Sequence, residues 1–204
     1  MTKPFENPNN WDGGFYELSF ELINNKHSTI RKSLESLWTT PFLQGCYAIK
    51  DIAPDSQDRI PFSALPTEGH LFGLAKFPDE KLCECGTYTS DFQESGQWIS
   101  LYLPMGALSN LFSVGGFPFV GNYSPHPRSW ITPLNGWLKN IAETIYPNVN
   151  FKIAVIGFEA EFTTIREEVF SGKIADKRWD GILLPQSDKL IWYPPTIIDF
   201  QYSS

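Results

Sequence analysis

The sequence predicts a single α+β domain, with a mixed β-sheet of about five to seven strands and two main helices packed on one face. Three observations lead to this fold class. The length of 204 residues fits one large domain, and no shift in composition divides residues 1–204. A content of 42% hydrophobic and 19% charged residues is typical of globular proteins. Strand-like and helix-like patterns both recur along the chain, which favours an α+β fold; an all-β barrel would contradict this prediction.

The first elements are predicted to be a strand, a helix and a strand. Residues 1–12 are polar and form a lead-in. Apolar and polar residues alternate over 15–23, which predicts a half-buried strand with its polar side chains on the exposed side. Ser28 is expected to cap a helix that carries an apolar stripe, and Pro41 to end it. A second strand is expected at 45–49.

The middle of the chain is predicted to contain several strands in succession. Residues 51–67 form a loop with three prolines. Strands are expected at 70–77, 82–92 and 98–103, and a short helix is expected after them at 105–112. Such a run of strands argues against a doubly wound fold in which strands and helices alternate.

The second half contains the clearest helix and the most apolar strand. Thr132 is a natural N-cap with proline after it, and Pro147 is expected to close the helix. Residues 151–158 are almost all apolar, which predicts a central strand covered on both faces. A short helix over 164–172 and a hairpin over 182–192 complete the domain.

The C-terminal tail, residues 196–204, is too apolar to be left in water. It carries two isoleucines, a phenylalanine and a tyrosine. We therefore expect it to dock, either on its own sheet or against a second subunit, so that the protein is a monomer or a homodimer.

Charge and composition limit the partners that this chain can have. Its net charge is −7 and its pI is about 5.0, and its basic clusters are two residues long. Nucleic-acid binding is therefore disfavoured, whereas a basic protein partner is favoured. No apolar stretch approaches the length of a membrane span, and Met1–Asn10 contains no signal-peptide core. With only three cysteines, these features predict a cytoplasmic protein with reduced thiols that does not bind membranes.

The sequence predicts no metal ion and no cofactor. Cys83 and Cys85 would face the same side of a strand, and His70 could lie on a neighbouring strand. This spacing is not one that zinc sites use, and buried thiols commonly fill cores. The glycines over 114–121 match neither a phosphate-binding loop nor a dinucleotide fingerprint.

A pair of acidic residues is the best candidate for catalysis. Glu159 and Glu161 follow the most apolar strand, and the carboxyl end of a central strand is where ligands bind in open α/β sheets. With His70 they could perform acid–base chemistry, as in a small hydrolase or lyase. The other interpretation is that they are ordinary surface acids.

Binding to another macromolecule is the function that the sequence favours. The chain has no complete catalytic motif, and its acidic charge and size fit an immunity-type protein that neutralises a basic partner. Aromatic residues in or near the loops could form the recognition surface, with core packing as the other role for each: Trp98, Phe117, Phe119 and Trp130. A deep pocket lined by two of Glu159, Glu161 and His70 would favour the enzyme, and a flat or convex acidic face would favour the binding protein.

A tripeptide occurs twice, each time before a predicted strand. Trp-Asp-Gly stands at 11–13 and again at 179–181. Asp-Gly favours a turn, and the tryptophan could cover an edge of the sheet.

Overall fold

A computed structural model describes residues 4–92, 96–114, 129–160, 162–187 and 189–197. It contains eight strands in one sheet, four α-helices and four short 3-10 turns within these ranges. The strands are β1 (Phe15–Glu21), β2 (Leu43–Tyr47), β3 (His70–Lys76), β4 (Leu82–Phe92), β5 (Gly96–Pro104), β6 (Ile153–Phe158), β7 (Gly181–Gln186) and β8 (Lys189–Tyr193). The helices are α1 (His27–Trp38), α2 (Met105–Ser109), α3 (Ile131–Val149) and α4 (Phe162–Phe170).

The sheet is larger than predicted, and its described strand pairs are all antiparallel, whereas a mixed sheet was expected. Its order is β2-β3-β4-β5-β1-β6-β7-β8. The opening strand, helix and strand therefore do not form a parallel unit, because β1 is fifth in the sheet while β2 lies at its edge. The chain returns from that edge through β3, β4 and β5, so β5 reaches β1 in the antiparallel direction.

One face of the sheet, here called the first face, carries the larger hydrophobic core. Tyr16, Leu18 and Phe20 of β1 lie on it, in one cluster with the buried stripes of α1 and α3. The small residue Gly73 lets the Trp38 ring pack against β3, since a Cβ there would lie 2.5 Å from that ring. That both main helices pack on a single face stays a prediction.

The opposite, second face is also covered, and the prediction of a half-buried β1 is therefore wrong. Glu17, Ser19 and Glu21 point to this face and are 3%, 0% and 0% exposed. One apolar cluster packs the N-terminal 3-10 segment over β3, β4 and β5, and another lies beneath α4. Because β1 is near the middle of the sheet, even its polar side chains are enclosed.

Several helix ends differ from the predicted ones. The α3 helix begins at Ile131, so Thr132 lies inside it and Trp130 is its N-cap. The α1 helix begins at His27, and the Asn24 side chain, rather than Ser28, accepts a hydrogen bond from the Lys26 N–H before it. The α3 helix continues past Pro147 to Val149, which is buried, and Asn150 closes it in a left-handed conformation. Burial of this last turn outweighs the hydrogen bond that proline removes. No helix in the described parts of the chain is long and apolar enough to cross a membrane.

Candidate functional site

A group of polar side chains lies on the second face, between its two apolar clusters. Glu17 of β1 is paired in register with Tyr102 of β5 and Gly157 of β6. A Cβ at residue 157 would lie 1.7 Å from Oδ1 of Asp180, so this glycine leaves the space that the Asp180 carboxylate occupies. The register of three strands therefore places two carboxylates side by side.

Glu17 is the carboxyl at the centre of this group. Its Oε2 accepts a hydrogen bond from the Tyr88 hydroxyl at 3.1 Å, and its Oε1 accepts one from the Ala160 N–H at 3.2 Å. Burial raises the pKa of Glu17 from 4.5 to about 7; the two hydrogen bonds oppose this shift, and the charges of Glu159 and Asp180 add to it. At neutral pH, protonated and ionised Glu17 are therefore both populated.

Glu159 holds an exposed carboxylate next to Glu17. Its backbone is left-handed, with φ 42°, and its N–H donates to the carbonyl of Phe15 at 2.9 Å. Its Oε1 lies against the start of β1, 2.6 Å from where a Cβ on Gly14 would be. A left-handed conformation is costly for a glutamate and is concentrated at functional positions in proteins. The structure thus places this carboxylate where it reaches solvent.

Aromatic rings adjoin the carboxylates on the β3 and β4 side. The ring centroid of His70 lies 5.6 Å from that of Tyr88 and 6.0 Å from that of Phe72. His70 is exposed, and its Nδ1 is hydrogen-bonded to the Tyr102 hydroxyl at 3.2 Å. Burial, and then the charge of Lys50, lower the pKa of His70, which favours the neutral imidazole. Burial, and then the charge of Glu17, raise the pKa of Tyr88 to about 12, so its hydroxyl keeps its proton.

A second buried carboxylate on β1 has a different environment. Glu21 accepts hydrogen bonds from Nε of Arg166 at 2.6 Å and from Nζ of Lys152 at 2.7 Å. Arg166 belongs to α4, so this ion pair fastens that helix to the sheet. Glu17 has no such cationic partner among the described residues, which makes it the carboxylate open to an outside charge.

Two of the three predicted catalytic residues lie around this group. Glu159 acts on both Glu17 and Tyr88 through its charge, and His70 contacts the Tyr88 ring. Glu161 lies outside the described residues. The rule for ligand sites in parallel α/β sheets does not apply to this antiparallel sheet; Glu159 is near Glu17 because β6 pairs with β1.

The sequence reasoning missed Glu17, Tyr88 and Asp180. Glu17 was assigned to an exposed strand side, and Tyr88 carried no distinguishing pattern. The repeated Trp-Asp-Gly tripeptide was a signal for Asp180, whose carboxylate lies above Gly157.

The tryptophans predicted to form a recognition surface are buried in the apolar cores and do not lie beside the carboxyls around Glu17. Trp98 is 0% exposed, in the cluster beneath α4, and Trp130 is 3% exposed, in the first-face core. Phe117 and Phe119 lie outside the described residues. Both described tryptophans therefore have the core-packing role that was the alternative for them.

The three free cysteines lie away from the polar group. Cys83 and Cys85 are buried in the first-face core, and burial raises the pKa of both thiols well above the usual value. Since His70 lies on the second face with Tyr88, β4 separates it from these thiols. Within the described ranges, no group of three or more His, Cys, Asp or Glu residues could hold a metal ion.

Comparison with family models, with curated proteins and with solved structures finds no match for the chain.

Proposed function

We propose that this chain is a cytoplasmic, non-enzymatic binding protein that recognises a basic protein partner, as an immunity protein recognises a basic toxin. One observation carries the proposal: the exposed Glu159 carboxylate lies beside the carboxyls of Glu17 and Asp180. Carboxyl groups held this close repel one another until a cation approaches. A net charge of −7 would also steer a basic protein toward the chain.

The arrangement of the two faces supports the same proposal. We infer that α1 and α3 together cover the first face, as the sequence predicted. Although the N-terminal 3-10 segment and α4 cover much of the second face, its strands β3 and β4 still carry half-buried and exposed rings that a partner could touch. Aromatic residues beside fixed charges are typical of the residues that contribute most to protein interfaces.

The burial of Glu17 favours binding over catalysis. With 3% of its surface exposed, and both carboxyl oxygens engaged, it offers little area for a substrate to touch. A general acid or base must come within hydrogen-bonding distance of the proton that it transfers. A partner's charge, by contrast, acts on Glu17 without direct contact.

Affinity capture from the native lysate tests the proposal. We expect the immobilised chain to retain a basic protein at 150 mM NaCl and to release it at 500 mM, because charge attraction is screened by salt. An unrelated protein of equal net charge on the same resin is the control for ion exchange. Recovery of no basic protein beyond this control, or retention that salt does not change, would refute the proposal.

A small hydrolase or lyase is the second candidate, and a different observation favours it. The pKa of Glu17, about 7, is near the value that suits a general acid or base at neutral pH, and Tyr88 is hydrogen-bonded to it. Chromogenic esters, phosphoesters and glycosides assayed at pH 7 test this candidate. Turnover that Glu17→Gln abolishes would support it, and no turnover, or turnover that the variant retains, would refute it.

A further inference from the structure

We propose that the surface formed by His70, Tyr88 and Glu159, here called the acidic aromatic face, receives an arginine side chain of the basic partner. This inference rests on the proposed function and assigns its point of contact. The group expected to bind here is a guanidinium, because the rings and the carboxylate together fit that group.

The aromatic part of the face is suited to a flat cation. The rings of His70 and Tyr88 lie 5.6 Å apart, with 31° between their planes, and the neighbouring Phe72 is half-buried. A guanidinium group stacks on such rings, whereas a lysine ammonium is more strongly hydrated and has no flat face. The neutral form of His70, favoured by its lowered pKa, adds no opposing charge.

The carboxylate part of the face supplies the complementary charge. Glu159 is exposed, and no ion pair occupies it within the described residues. It directly precedes Ala160, whose N–H donates to the same Glu17 carboxyl that accepts the Tyr88 hydroxyl, so Glu159 and Tyr88 lie on either side of Glu17. A guanidinium that lies on Tyr88 could therefore pair with the Glu159 carboxylate through two N–H groups on one edge.

The charged groups around Glu17 predict how pH acts on this contact. Glu17 is faced by Tyr88 of β4 and by Tyr102 of β5. The charges of Glu159, at the end of β6, and of Asp180, just before β7, also act on it. As Glu17 ionises near pH 7, its negative charge adds to those of Glu159 and Asp180. Binding of a cation should therefore strengthen as the pH rises from 6.5 to 8.

One basic residue near the face should oppose the contact. The charge of Lys50 lowers the pKa of His70, so Lys50 is close enough to repel an incoming cation. Its removal should strengthen binding about twofold, as expected for an exposed charge.

NMR titration of the full chain with a triarginine peptide, in 150 mM NaCl, tests the proposal. We expect amide signals around His70, Tyr88 and Glu159 to move, with trilysine binding more weakly. Glu159→Gln and Tyr88→Leu should each weaken triarginine binding about twofold to fivefold, the range for an exposed ion pair or cation–π contact. Glu35→Gln, an exposed acid on α1, is the matched control and should bind as the wild type does.

The pH dependence of binding gives a second readout. General attraction by the net charge of the chain would not depend on Glu17 alone. We expect triarginine to bind about threefold tighter at pH 8 than at pH 6.5, and Glu17→Gln to remove this difference. Signals that move elsewhere on the chain, or equal binding by Glu159→Gln and the wild type, would overturn the assignment.

The NMR titration tests the site assignment and the lysate capture tests the proposed function, so a failure of one can be told from a failure of the other. If triarginine binds the face but no basic protein is captured, the site assignment stands and the proposed function fails. If a basic protein is captured but triarginine ignores the face, the function stands and the partner docks elsewhere.

Discussion

Substitution of Glu17 by glutamine should change how the stability of this protein depends on pH. The folded state holds the Glu17 pKa at about 7, whereas the unfolded chain releases this proton near the ordinary value of 4.5. Between these values the folded state binds the additional proton, so the wild type loses stability as the pH rises through this window. The loss is complete a little above pH 7.

The size of the effect follows from the shift. A pKa raised from 4.5 to about 7 corresponds to about 3 kcal/mol of folding free energy. Glu17 is almost fully buried, so solvent screening does not reduce this figure. Glutamine stays neutral, and its side chain can still accept from the Ala160 N–H and bond to the Tyr88 hydroxyl.

Urea unfolding followed by tryptophan fluorescence measures the difference. We expect the free energy of unfolding of Glu17→Gln, relative to that of the wild type, to increase by about 3 kcal/mol between pH 4 and pH 8.5. Glu35→Gln on exposed α1 should show no such trend. Curves for Glu17→Gln and the wild type that run parallel across this range would show that Glu17 ionises at its ordinary pKa and refute the reasoning.

Further substitutions test other features by urea or thermal unfolding. Arg166→Met should lower the free energy of unfolding by about 3 kcal/mol, because it removes a partner of the fully buried Glu21 carboxylate; an unchanged value would show that Lys152 suffices. Trp98→Ala should cost roughly 3–5 kcal/mol, and an unaltered midpoint would contradict its place in the core. Glu159→Gly should raise stability by up to about 1 kcal/mol by relieving the left-handed backbone, and a clear loss would argue against strain. Deletion of 196–204 should lower the melting temperature, since its first two residues hydrogen-bond to the loop before β7; no change would mean that these bonds add nothing.

The local elements were largely predictable from the sequence. Strand β4 has the predicted bounds, and the hairpin of β7 and β8 lies where turn residues separate two apolar runs. The apolar stripe of α1 is buried as expected. These features depend on residues close together in the sequence, which a periodic pattern records directly.

The candidate site depended on information that no local pattern carries. The alternation in β1 is the same whether its polar side faces water or a second layer of protein. Burial of Glu17 follows from the pairing of β1 with β5 and β6, both far along the chain, and from the segments that cover them. Its closeness to Asp180 further requires that Gly157 lie between them.

The position of β1 has a consequence for how this protein folds. The strands β3, β4 and β5 form successive hairpins, and β7 and β8 form another, so these pairs close short loops. Strand β1 alone pairs with both β5 and β6, and each pairing closes a long loop with a large entropic cost. We therefore expect β1 to insert late, joining two preformed hairpin units. Its insertion would then be the step that sets the folding rate and that brings Glu17 to the carboxyls of Glu159 and Asp180.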